Sequence, residues 1–391
     1  MKFDKAFFDG GINRRGTQCA KWDSDMIVKH NSLPMQVADM DFPCAPVIQE
    51  AIIERAKHDC YGYTNYGPED NQALIDFWKR RHGLDIAQEQ LMRIPCVIEG
   101  MRLCIRTFTN PGDKIIIFTP VYPPFHFSVS DNDRELVCVP LLRNAETGRF
   151  DMNYEGLEEA LKQGAKMALL CNPQNPLSRL WQKDELEKVC ALIKKYNAVL
   201  VSDEIHADFV YAPARLTPML SIKEAWDCTV MLCSASKTFN IAGLQQANLV
   251  CFNPDMLKAL QKEAGNIGMT SGNIFALFAT RAAYNEGDEW LEGLLAYLDE
   301  GRKVLEESVK EYLPKAVIPP IEATYLTWLD LTAYGKTCDE LTELFRAHGV
   351  ELSPGTAFDK TAEGCMRICF GCPHNMIREG VKRLGEALKE E

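Results

Sequence analysis

Residues 229–243 read TVMLCSASKTFNIAG, an apolar run from Thr229 to Cys233 that gives way at once to Ser234, Ser236 and Lys237. An unbroken apolar run of this length fits a strand covered on both faces of a sheet. Polar residues just past its end stand where open α/β sheets bind their ligands. A lysine at such an edge loses solvent, which lowers its pKa. The neutral amine can then attack an aldehyde and form an imine, and the hydroxyls beside it can donate to a phosphate. Alone, the stretch reads more readily as a surface lysine in a turn.

Similar edges occur on either side of it. In AVLVSDEIHADF (198–209), Asp203 and Glu204 end another apolar run. A carboxylate there is unfavourable unless it meets a cation or a donor, and a protonated ring nitrogen, kept cationic by the ion pair, is such a partner. His206, three residues on, raises a metal site as a rival. No further histidine or carboxylate is placed to complete a ligand set, so no metal is expected, and His206 by itself fits a structural role. In MALLCNPQNPLSR (167–179), two Asn-Pro pairs follow a strand, and Asn175 is presented rigidly enough to donate to a ring oxygen. In IIIFTPVYPPFHF (115–127), Tyr122 is held between prolines and can stack on a planar ring.

The spacing of these edges gives the architecture. Strands are expected at Lys114–Phe118, Glu135–Pro140, Met167–Cys171, Ala198–Ser202, Thr229–Cys233 and Asn248–Phe252. Amphipathic helical patterns such as Tyr154–Gln163 and Lys183–Tyr196 lie between them, which implies an α/β fold with a mainly parallel sheet. After Asn285 the pattern changes to a long charged helix over Asp288–Tyr312, a β-rich stretch, a helix over Thr337–Ala347, the strand MRICF and a last helix, His374–Leu388. The division expected is a large domain of residues 46–285 and a smaller α+β domain of residues 1–45 and 286–391, with no sheet pattern before Ala45.

Composition narrows the function. Of 391 residues, 46% are apolar and 25% charged, with a net charge of −12 and no basic block. That excludes a nucleic-acid phosphate backbone as partner and disfavours anionic membrane surfaces. No leader pattern opens the chain, and no apolar run approaches the roughly 18 residues of a membrane helix. Fifteen cysteines scattered through apolar stretches suit reduced, buried thiols in the cytoplasm. Cys365, Cys369 and Cys372 have a spacing that can hold iron, but a short buried strand and a turn explain them, and only a short tail follows.

The four edges, in this order on consecutive strand ends, resemble the fold-type I superfamily of pyridoxal-phosphate enzymes, aminotransferase class I/II. The stretches NRRGTQCAKWD, VADMDFPCAP, YGYTNYG, SDEIHADFVY and SASKTFNIAGLQ resemble its MalY/PatB branch of carbon–sulfur β-lyases most. The resemblance implies an aspartate-aminotransferase-like fold with pyridoxal 5′-phosphate held by Lys237, ring contacts from Asp203, Asn175, Tyr122 and His206, and phosphate contacts from Ser234 and Ser236. It further implies that Gly100, Met101 and Arg102 open a helix after the strand-like IPCVIE and offer backbone N–H groups to the phosphate. Tyr63 would reach the phosphate of a neighbouring subunit, implying a homodimer. Arg367 would grip the substrate carboxylate, with Val37 and Ala38 lining that site through their backbone. Many relatives carry an arginine eight residues after the lysine; here Gln245 stands in its place, as is common in the branch.

The implied reaction is β-elimination from L-cystathionine or another L-cysteine S-conjugate, giving pyruvate, ammonia and a thiol. An aminotransferase would use the same cofactor residues, and a regulatory binding protein with little turnover is the reading from another class.

Overall fold

The computed structural model describes residues 3–269 and 272–389. Its strands in chain order are β1 (Leu33–Pro34), β2 (Leu91–Ile94), β3 (Lys114–Thr119), β4 (Glu135–Pro140), β5 (Met167–Cys171), β6 (Val199–Asp203), β7 (Thr229–Cys233), β8 (Ala247–Cys251), β9 (Leu326–Asp330), β10 (Val350–Glu351), β11 (Ser353–Pro354) and β12 (Cys365–Cys369). A two-residue ribbon, Leu142–Arg143 with Phe150–Asp151, decorates the loop after β4.

Seven strands form the main sheet in the order β2-β8-β7-β6-β5-β3-β4. Only β8 runs against its neighbours; the pairs β7–β6, β6–β5, β5–β3 and β3–β4 are parallel. The apolar runs explain this placement. Every residue of β5, β7 and β8 is buried, as strands sandwiched between helical layers must be. Helix Val97–Phe108 covers one face, with Met101, Cys104 and Ile105 packed on Ile115, Leu169 and Val230, while helix Lys183–Lys195 covers the other through Leu186, Val189 and Ile193. The carboxyl ends of β5, β6 and β7 therefore open side by side, with Asn175 in the loop after β5, Asp203 as the last residue of β6 and Lys237 in the turn after β7.

A second sheet, β9-β12-β11, is antiparallel and is backed by helices Asp288–Tyr312 and His374–Ala387. The β-rich stretch before Leu326 forms isolated bridges rather than strands, Val317 with Asp330 and Val210 with Ala323. The N-terminal segment departs from expectation too. It contributes β1, which pairs in parallel with β10 through Leu33 and Pro34. Two residues are too few to produce an alternation visible in sequence. Further along, Phe8 packs edge-on against Phe42 and Trp290 and lies against Tyr297. The segment is thus stapled to helix Asp288–Tyr312, and residues 36–42 are carried to the open end of the main sheet.

All fifteen cysteines are unpaired. Among the described residues no helix is long and apolar enough to cross a membrane.

Candidate active site

Lys237 sits in the short helix Ala235–Thr238 just past β7. Ser234 caps this turn, its hydroxyl accepting from the Ser236 N–H at 3.0 Å and donating to Gln246 O at 2.6 Å. The fixed turn sends the Lys237 side chain into a cavity, where its Nζ donates to Ala38 O at 2.7 Å. Burial pushes the amine below the ordinary lysine value; Asp39 opposes that shift and Arg367 reinforces it. Such an amine spends more of its time neutral and able to attack a carbonyl carbon.

The same cavity is lined by Asp203, His206, Asn175 and Tyr122. Asp203 ends β6, accepts from the Ile205 N–H at 3.0 Å, and is pushed up to about 7 by burial, well above the usual carboxylate range. A cation beside it would restore the ionised form. His206 is held down to about 3 by burial, helped by Lys237 and Arg367, so its ring is neutral; its Nδ1 has no hydrogen-bond partner among the described residues. The Asn175 loop is tied down by Gln174, whose Nε2 donates to Phe118 O at 3.1 Å and to Pro120 O at 2.9 Å, so the loops bearing Asn175 and Tyr122 are fixed to each other. Burial also raises the Tyr122 phenol, which is therefore uncharged.

Arg367 lies on β12 and is 4% exposed. Its guanidinium donates to Asn175 Oδ1 and Ser353 Oγ, each at 3.3 Å, and to Gln36 O, and it stacks 4.8 Å over Phe358. Among the described residues no carboxylate pairs with it, and its Nε has no partner. A buried guanidinium satisfied only by neutral groups is a waiting place for an anion, because burying an unpaired charge is strongly unfavourable.

Several expected contacts stand elsewhere. IPCVIE is not a strand: β2 stops at Ile94, Cys96 is the N-cap and the helix begins at Val97. Pro95 is the signal that could have shown this, since proline has no N–H for a strand ladder and is common at helix starts. The free first-turn N–H groups thus belong to Val97 and its neighbours, and Cys96, Val97 and Ile98 line the cavity. Gly100 is one turn too late, its N–H already donating to Cys96 O at 3.0 Å. Met101 is buried beneath the helix, and Arg102 pairs with Asp131 at 2.7 Å on the outer surface. The Ser234 hydroxyl hydrogen is spent on Gln246 O, which leaves Ser236 as the serine hydroxyl free toward the cavity among the described residues. Ala38 is at the site, but the Val37 carbonyl accepts the Asp39 N–H at 2.9 Å; the carbonyl beside Arg367 is that of Gln36. Tyr63 is fully exposed on the loop between two helices, outside the cavity of its own chain. Gln36, Ser353, Gln246 and Tyr325, whose hydroxyl donates to Ala38 O at 3.3 Å, were invisible as site residues because each joins through a long-range contact.

The cavity fits a flat, anionic, aldehyde-bearing ring at each point. A helix start offers N–H groups for a phosphate, Asp203 wants a cation, a phenol can cover one ring face, and a softened amine stands alongside. Fold and site together define a pyridoxal-phosphate enzyme of fold type I. The chain belongs to the family described as aminotransferase class I and II, whose model matches residues 31–384. It is 35% identical to cystathionine beta-lyase PatB of Bacillus subtilis, over 97% of this chain and 99% of the relative. Among solved structures it is similar to cystalysin of Treponema denticola, which contains pyridoxal 5′-phosphate (TM-score 0.93, 29% identity, 97% and 98% of the two chains). It is also similar to the PLP-bound C-S lyase of Staphylococcus hominis (TM-score 0.90, 30% identity, 98% and 99%).

Proposed function

We propose that the protein is a carbon–sulfur β-lyase that cleaves L-cystathionine or a related L-cysteine S-conjugate to pyruvate, ammonia and a thiol. The carrying observation is the full-length likeness to cystathionine beta-lyase PatB in a chain whose Lys237, Asp203 and Arg367 converge on one cavity.

Bound pyridoxal phosphate supplies an aldehyde carbon for the substrate amine and a ring that accepts the electrons left when the Cα proton departs. This chain's residues do the rest. Arg367 would take the α-carboxylate while keeping its hydrogen bond to Asn175 Oδ1, which orients the Cα–H bond toward Lys237. The Lys237 amine would remove that proton as general base and deliver a proton to the departing sulfur. Asp203 keeps the ring nitrogen protonated. Neutral His206 adds no competing positive charge beside it. Asn175 donates to the ring oxygen through its Nδ2 while its Oδ1 accepts from Arg367. Tyr122 would cover the ring, and the N–H groups at Cys96–Ile98 with the Ser236 hydroxyl would hold the phosphate.

A homodimer is part of this proposal. Tyr63, with Tyr61 and Ile53 also exposed nearby, is available to a second copy, and its hydroxyl would complete the partner's phosphate site. The second reading, transfer of the amino group to a keto acid, is favoured by the family to which the chain belongs; it differs in returning the proton to the cofactor rather than losing the thiol.

The deciding experiment follows pyruvate and thiol release from L-cystathionine by the pure, cofactor-loaded protein. Equal amounts of both products support the lyase. Amino transfer to a 2-keto acid without pyruvate would replace that reading.

A further inference from the structure

The segment Gln36–Phe42 touches both charged groups of the site, Gln36 O at Arg367 and Ala38 O at Lys237. Its outer side is anchored within the N-terminal region. Buried Lys21 donates to Asp39 O at 2.8 Å and to Asp41 at 2.7 Å, Trp22 Nε1 donates to Asp41 at 2.7 Å, and Arg14 donates to Met40 O at 3.0 Å. On its inner side Tyr325 and Ser353 hydroxyls donate to Ala38 O and Gln36 O, and residues 40–42 are held by a side chain from the turn of the lysine itself. Asn240 Nδ2 donates to Met40 O at 3.0 Å and to Phe42 O at 2.9 Å, and its Oδ1 accepts the Met40 N–H at 3.3 Å. Both Nδ2 contacts are carbonyls, which fixes the amide orientation. The residue has φ +58°, in the left-handed region that asparagine tolerates better than other side-chain-bearing residues, and its own N–H donates to Lys237 O at 3.3 Å. Its backbone is thus bound to Lys237 while its side chain is bound to the segment bearing Ala38.

We infer that Asn240 is a positioning residue, an amide clasp that sets the place of the Ala38 carbonyl relative to Lys237 Nζ. The inference rests on the reading that Lys237 holds the cofactor and moves the substrate proton. A proton-transfer group misplaced by a fraction of an ångström loses rate without losing substrate affinity. Asn240 is not among the residues that line the cavity, so its effect passes through Lys237.

Two variants test this. Asn240→Asp keeps the left-handed turn and the acceptor for Met40 N–H but sets a carboxylate against two carbonyl oxygens. Asn240→Gly keeps the backbone without strain and removes the clasp. The loaded variants are compared with wild type by the pH midpoint of the cofactor's visible absorbance, by kcat and KM for pyruvate release, and by melting temperature. The expected result in both is a displaced midpoint, with kcat down about tenfold or more and KM changed by less than about threefold. An unchanged midpoint in either variant, whatever its melting temperature or activity, reduces Asn240 to a structural residue and overturns the inference. A Lys237→Ala protein that keeps the visible band would instead sink the reading beneath it, and the clasp with it.

Discussion

Arg367 Nη1 donates to Asn175 Oδ1 at 3.3 Å, joining the middle strand of the small sheet to the loop after β5 of the large one. The residue expected to grip the substrate carboxylate and the residue expected to face the cofactor ring oxygen therefore position each other. A guanidinium can hold Asn175 with one nitrogen and a carboxylate with others, because its donors lie in a rigid planar fork. An ammonium is a single point and cannot span both.

Arg367→Lys preserves the charge and should still fail. The expected loss in kcat/KM is about 10- to 100-fold, the worth of one charge-assisted hydrogen bond, and it should appear chiefly in KM. Steady-state kinetics with L-cystathionine measure it. Wild-type KM in this variant would mean that the carboxylate binds elsewhere.

Lys237→Ala removes both the attachment point and the base. Pyruvate release should fall by at least about 10²- to 10⁴-fold, the range for loss of a positioned general base. The visible band of the loaded protein should vanish as well, and both are read in one cuvette. Turnover near that of wild type would take the proton-transfer role away from this residue.

The phosphate end separates two assignments. Val97→Pro places proline at the first helical position, where its ring is tolerated and the preceding Cys96 is already extended at φ −152°. It deletes one first-turn N–H of a residue that lines the cavity, so pyridoxal-phosphate affinity should drop about 10- to 100-fold, as for a lost hydrogen bond to a charged group. Arg102→Ala, on the outer surface, should leave affinity unchanged. Fluorescence titration of the cofactor-free proteins decides between them; the opposite ranking would restore the later helix start.

What the sequence revealed and concealed follows from range. Buried strands announce themselves through unbroken apolar runs, so β3, β5, β6 and β7 fall where the pattern puts them, and with them Tyr122, Asn175, Asp203 and Lys237. The helix start at Val97 was misjudged because Ile94, Val97 and Ile98 look alike on strand and helix, and only Pro95 breaks the tie. Contacts such as Arg367 with Gln36, or Asn240 with Phe42, join residues 331 and 198 positions apart. No local propensity encodes such a pairing; it exists only once both sheets are packed. The β1 pairing with β10 escaped for the same reason, being two residues long and 317 positions apart in register.

Glu204 is next to Asp203 but plays no part in the proposed chemistry. It points into the protein, accepting from Ser202 Oγ at 2.9 Å and from the Met219 N–H at 2.8 Å, and burial pushes its carboxyl up to about 8. The unfolded chain would release that proton near 4.5. Between these values the folded state binds more protons than the unfolded state, so stability falls as pH rises through the window. Glu204→Gln keeps the shape and cannot ionise, so its melting temperature should decline less than that of wild type between about pH 5 and pH 8. Asp203, raised to about 7, adds a second slope of the same sign in the cofactor-free protein. A protonated ring nitrogen beside Asp203 favours the ionised carboxylate, so loading with cofactor should flatten the Asp203 part and leave the Glu204 part. Melting curves of wild type, Asp203→Asn and Glu204→Gln, each with and without cofactor, separate the two. Parallel curves for wild type and Glu204→Gln would mean that Glu204 is already ionised in the folded protein, held by Ser202 and Met219.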